Sequence, residues 1–188
     1  FINFPPSKFD DYLSFLNKIY EHKKIKDIEK IIFISSTSVY PNIEGFFNEE
    51  FEIENSSSKI VYEAEKLVLN KSDIIFRVSA LVGANRVSGR RLSNKVVEYP
   101  KSVINFVHRN DVIDATKFVI ENNLNGTFNL CCKEHPSKED LYSFNAKKYD
   151  FALPIFSENK EFLNRTIDGS KIEQLGFIYK HNNAFDLI

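Results

Sequence analysis

The sequence predicts an α/β protein built on a doubly wound parallel sheet, with a small α/β lobe at its C-terminal end. Three observations carry that expectation. Apolar runs such as "IIFIS" at 31–35 and "DIIFRVS" at 73–79 are continuous rather than alternating, as in strands buried on both faces. Such runs alternate with stretches of helical periodicity through the first 130 residues. The run at 31–34 also stops abruptly in Ser35, Ser36, Thr37 and Ser38, and open α/β sheets place their chemistry where strands end.

The elements follow in order. Residues 1–4 read as a strand closed by Pro5-Pro6, and Ser7 suits the N-cap of a helix over 8–24. After the strand at 31–35 and a polar loop over 41–55, "SSSKIVYEAEKLVLN" is a helix with Val61, Ala64, Leu67 and Val68 inward. Strands are expected at 73–79 and 102–108, then a helix with Asn110 as its cap, then the strand "GTFNLCC". Ser137 caps a further helix with Asp140 at the capping-box position. "LNRTIDGSKIEQLG" reads as an extended piece, a turn and a helix closed by Gly176. The 188 residues are most simply one domain, 1–130 forming the core and 131–188 the lobe.

Composition excludes several function classes. A net charge of -1 provides no global basic field for nucleic acid, and the clusters "EHKKIKDIEK" and "SGRRLSNK" read as solvated faces. No apolar stretch approaches the roughly 18 residues of a membrane span. The two cysteines, Cys131 and Cys132, are adjacent, so a bridge between them would be strained and a reduced, cytoplasmic setting is expected. The sequence contains no methionine and opens as the inside of a buried strand, so residues upstream are expected.

The chemistry is expected at Tyr62 and Lys66, four residues apart on one helix face. An ammonium beside a phenol favours the phenolate, which is how such a pair becomes a usable acid or base. A second pair of the same spacing, Tyr20 and Lys24, reads as a solvated helix end. Only Tyr62 follows a buried strand that ends in hydroxyls.

The ordered series "IIFISSTSVYP", "YEAEK", "IIFRVSALVGANR", "INFVHRNDV" and "GTFNL" resembles the extended and atypical short-chain dehydrogenases/reductases, and within them the NAD-dependent epimerase/dehydratase group. The likeness runs over essentially the whole chain and implies a Rossmann-like fold and an NAD or NADP cofactor. Carried over by position, it makes Ser36 the residue that polarises a substrate carbonyl or alcohol and Tyr62 the proton donor or acceptor. Lys66 would bond the nicotinamide ribose and tune Tyr62. Cofactor contacts are implied for Pro5, Pro6, Ser35, Tyr62, Lys66, Val78, Ser79 and Ala80, the last three following Arg77. Substrate-side contacts are implied for Thr37, Ser38, Arg86 and His108, although His108 also reads as a structural histidine beside Asp111. No metal is implied. The substrate would be a sugar derivative, often nucleotide-linked in this group, and helices 8–24 and 57–70 are where the group pairs subunits into homodimers.

Departures from the pattern are equally specific. Val82-Gly83 stands where the group has Tyr-Gly, and Pro41 where it has glycine. No Gly-x-Gly-x-x-Gly occurs, so the loop that cradles a cofactor pyrophosphate is expected to lie outside this sequence, together with the first strands, roughly 60–80 residues. A non-catalytic member of the fold with a binding or regulatory role fits the same departures. Calorimetry on the 188-residue chain is accordingly expected to find NAD or NADP bound far more weakly than micromolar. Micromolar binding by a monodisperse monomer contradicts this expectation.

Overall fold

The computed structural model describes residues 1–159 and 161–186. In chain order the first elements are α1 (Tyr12–Tyr20), β1 (Ile32–Ser36), β2 (Gly45–Phe47), α2 (Lys59–Val68), β3 (Ile74–Val78), β4 (Ala80–Val82) and β5 (Val96–Val97). They are followed by β6 (Phe106–His108), α3 (Arg109–Glu121), β7 (Gly126–Leu130), α4 (Lys138–Lys148), β8 (Ile155–Phe156), β9 (Arg165–Ile167) and α5 (Ser170–Gln174).

The continuous apolar runs form a parallel sheet in the order β1-β3-β7, with Ser36 opposite Val78 and Val78 opposite Leu130 at one end. Alternate side chains go to opposite faces, and both faces are covered. Phe33 and Ile75 pack with Leu16 of α1 and with Ala64 and Val68 of α2. Ile32, Ile74, Phe76 and Phe128 pack with Ala115 and Val119 of α3, and with Leu141, Ile172 and Phe177 from the C-terminal third. The sheet is thus doubly wound, as the sequence predicts.

Several elements differ in detail. Residues 1–4 pair with β1 only through an isolated bridge, Ile2 to Phe33. Pro6–Lys8 form a single 3-10 turn, and α1 starts later than expected, capped by Asp11, whose side chain accepts from the Ser14 amide. Tyr20 is buried rather than solvated and shares a hydrogen bond of 2.7 Å with Ser72. The loop over 41–55 contains β2, which pairs in parallel with β9. The expected strand 102–108 shortens to β6, because the Ile104 amide donates to the Pro136 carbonyl and the Lys138 amide to that of Ser102. The cap of α3 is His108, whose Nδ1 accepts from the Asn110 amide. Ser137 does cap α4, accepting from the Asp140 amide, and Gly176 ends α5 in the left-handed region.

Close packing at the sheet end requires one glycine. A Cβ on Gly169 would lie 2.2 Å from the Cys131 carbonyl oxygen, a backbone atom that cannot rotate away. Gly169→Ala is therefore expected to cost about 1–3 kcal/mol, read as a lower denaturation midpoint at unchanged slope. Both cysteines are free and buried, and burial pushes the Cys131 thiol up to about 12. No helix among the described residues is long and apolar enough to cross a membrane.

Glu49 joins the β2 side of the molecule to the sheet, its Oε1 accepting from the Asn129 amide at 2.6 Å. Burial raises its pKa above the usual carboxylate value, although that bond works in the opposite direction. The folded state therefore holds this proton more tightly than the unfolded chain. Its contribution favours folding at low pH and is lost as pH rises from the unfolded to the folded value. Glu49→Gln is expected to flatten the dependence of stability on pH in that window, measured by urea titrations at a series of pH values.

Candidate active site at the end of β1

The hydroxyl cluster lies where β1 leaves the sheet. Ser36 closes the strand and its Oγ accepts from the Ser38 amide at 3.2 Å, turning the chain into a short 3-10 segment over Thr37–Val39. Three serines ahead of α2 are stapled to this corner. The hydroxyls of Ser56 and Ser57 and the Ser58 amide all donate to the Ser38 carbonyl, and the Ser57 amide donates to that of Tyr40. The start of α2, and with it Tyr62, is thereby held against the end of β1.

A buried polar network fixes the same two elements from below. Ser35 Oγ donates to Glu65 Oε2 at 2.6 Å, and Arg77 donates to Glu65 Oε1 through Nε at 3.0 Å and Nη2 at 2.6 Å. Arg77 Nη1 donates to the Tyr40 hydroxyl at 2.8 Å, and Asn48 and Asn129 oxygens lie within 2.9 Å of that hydroxyl. Burial works to lower the Arg77 pKa, but its bonds to Glu65 outweigh that and raise it, so the guanidinium stays charged. Three network residues neighbour an expected site residue: Ser35 precedes Ser36, Glu65 precedes Lys66 and Arg77 precedes Val78.

Tyr62 is half-buried and donates its hydroxyl to the Ile53 carbonyl at 2.9 Å. Lys66 is exposed, its ammonium 5.3 Å from the centre of the Tyr62 ring and 3.7 Å from Glu63 Oε1. Pro5, Pro6, Ser35 and Ser36 line one cavity of about 200 Å³ together with Val61 and Ala64 on α2. Val78 sits opposite Ser36 in the sheet register, Ser79 is buried next to it, and Ala80 is exposed at the start of β4. Thr37 is buried and Ser38 half-buried at the same corner.

Two expected site residues lie elsewhere. Arg86 is exposed in the loop after β4 and lines a separate cavity with Arg90 and Arg91. His108 is buried, its ring stacked on His181 at 3.8 Å, while Asp111 accepts from the His181 and Lys180 amides. Sequence reasoning missed Glu65 and Arg165. A signal existed for the first, because a charge inside the apolar run "IIFRV" demands a buried partner. None existed for Arg165 on β9, whose Nε donates to the Pro41 carbonyl at 2.8 Å and whose Nη2 donates to that of Thr37.

No protein-family model matches the chain. Protein YeeZ of Escherichia coli K12 is 30% identical over 178 residues, which are 90% of this chain and 65% of that protein. The chain therefore spans a little under two thirds of the curated relatives it matches. Among solved structures, MoeE5 in complex with UDP-glucose and NAD superposes with a TM-score of 0.72 at 17% identity, over 92% of this chain and 67% of that one. The UDP-glucuronic acid 4-epimerase of Bacillus cereus, in complex with NAD, gives 0.67 at 21% identity, over 92% and 61%. The ADP-L-glycero-D-manno-heptose-6-epimerase of Helicobacter pylori gives 0.69 at 19% identity, over 94% and 62%. With its doubly wound parallel sheet and hydroxyl-rich β1 end, the chain has the Rossmann-like fold of these structures.

Proposed function

We propose that the chain carries the catalytic side of an NAD(P)-dependent epimerase/dehydratase or reductase acting on a sugar, in particular a nucleotide-linked one. The observation that supports this reading is the placement of Ser36, at the end of β1, beside α2, whose start is tied to the Ser38 carbonyl and whose Val61 and Ala64 line the cavity at Ser36. The cavity beside Ser36 is lined by the apolar side chains of Pro5, Pro6, Val61 and Ala64 and by Ser36, which suits a planar nicotinamide. A bound nicotinamide would supply the hydride donor or acceptor. In this reading Ser36 donates to the substrate oxygen and orients it. Tyr62 gives or takes the proton at that oxygen, and Lys66 tunes Tyr62 and holds the ribose. Thr37 and Ser38 face the sugar side. α1 and α2 are the homodimer face of this reading.

The assignment is tested with a nicotinamide dinucleotide deuterated at its reactive ring carbon and a set of nucleotide-linked keto-sugars. Deuterium is expected on a sugar carbon of the product. Absence of label in every product overturns the assignment.

One observation favours a second reading, a non-catalytic binding or regulatory member of the fold. The Tyr62 hydroxyl is engaged by the Ile53 carbonyl and the Lys66 ammonium is turned towards Glu63. Nucleotide-sugar binding without any label transfer supports that reading.

A further inference from the structure

A second cavity, of about 410 Å³, lies where the segment between β5 and β6 meets the start of α4 and the approach to β9. Its lining includes Tyr99, Ser102, Asn105, Lys138 and Arg165, with Glu161 as its one carboxylate. Arg165 is unusual for a half-buried arginine. Its Nε and Nη2 donate to two backbone carbonyls, Pro41 and Thr37, and neither bond uses Nη1. No carboxylate among the described residues forms an ion pair with Arg165 or with Lys138. Lys138 donates to the Glu98 carbonyl at 3.0 Å, and its ammonium lies 6.0 Å from the Tyr99 ring centre. Burial lowers the pKa of both cations. Two such cations on one concave surface are costly for the protein alone and are offset when an anion arrives.

We infer that Arg165 and Lys138 receive an oxyanion, the phosphate or carboxylate of the small molecule that reaches Thr37 and Ser36. The inference rests on the proposed function, because Arg165 ties the cavity to that corner through the Thr37 carbonyl. A planar guanidinium with one edge still available suits two oxygens of such a group, and the ammonium adds a point charge. Asn105 is spent on the protein itself, its Nδ2 donating to the Arg165 carbonyl and its Oδ1 accepting from the Ile167 amide. Ser102 Oγ accepts from the Leu163 amide and keeps its own proton to donate, so the two cations and this hydroxyl are the groups that recognise a ligand. Glu161, exposed at the rim, opposes an anion from the solvent side.

The test is calorimetry on the full chain at constant ionic strength, with inorganic pyrophosphate and with glucuronate as separate probes. Binding is expected to weaken about ten- to a hundredfold in Lys138→Met, and likewise in Arg165→Gln. Glu161→Gln is expected to tighten it. Arg91→Gln, in the other basic loop, should leave it unchanged. Lys138→Met decides the matter if Arg165→Gln fails to fold, because the Lys138 stem projects from the first turn of α4. A response to pyrophosphate alone assigns the group to a phosphate, and one to glucuronate alone to a carboxylate. Failure of both probes to bind overturns the inference, and so does binding indifferent to Lys138. No nicotinamide is present, so the outcome is independent of the deuterium experiment, and either result can fail without the other.

Discussion

Glu65→Ala is expected to destabilise the protein by about 3–5 kcal/mol, the cost of leaving one partner of a buried ion pair alone. The side chains of Glu65 and Arg77 are 5% and 10% exposed. The carboxylate accepts from Ser35 Oγ and from two guanidinium nitrogens, so its removal strands both a hydroxyl and a charge. The neighbouring pair of Lys66 and Glu63 serves as a control, since both are solvent-exposed to 38% or more and such pairs contribute about 0–1 kcal/mol. Glu65→Leu with Arg77→Met should recover much of the loss, because no buried charge then remains. Urea denaturation measures all of these. Equal effects of Glu65→Ala and Glu63→Ala would mean that the network does not hold β1, α2 and β3 together.

In the intact enzyme of the proposed function, with its pyrophosphate loop, Tyr62→Phe is expected to lower turnover by about 10²–10⁴-fold while leaving cofactor binding largely in place, because only the proton-transferring atom is lost. The ring stays beneath Lys66, so the ribose side of the proposed site keeps its shape. The loss of stability should be small, about 0.5–1.5 kcal/mol, since the one bond removed is to the Ile53 carbonyl. That contrast separates a chemical role from a structural one. Kinetics and denaturation on the same preparation provide it. Turnover within a factor of two of the wild type removes Tyr62 from the mechanism.

How much of this was legible in the sequence depends on the range of the interactions. The α4 cap was legible because Ser137 and Asp140 are three residues apart and decide the matter locally. The strands β1, β3 and β7 were legible because burial on both faces demands continuous apolar runs. The start of α1 was not: Ser7 and Asp11 are both good caps, and the packing of Phe9 against Phe4 and Phe15 goes with the later start. The pairing of β2 with β9 was invisible, because each has three residues and their partners lie in distant parts of the chain. At the site, Ser36, Tyr62 and Lys66 stood out by type and order. Arg165 did not, since its acceptors are backbone carbonyls that no side-chain pattern announces.

The central claim is that the cavity beside Ser36 is where a nicotinamide ring sits. Intermolecular nuclear Overhauser effects measure this directly, and they tolerate weak binding at millimolar dinucleotide. Contacts are predicted from the nicotinamide ring protons to the Val61 methyls and to the Pro5 and Pro6 rings, which line that cavity. They should disappear in Val61→Phe, which fills the space. Ring contacts to residues elsewhere on the chain, with Val61 and both prolines silent, would contradict the account.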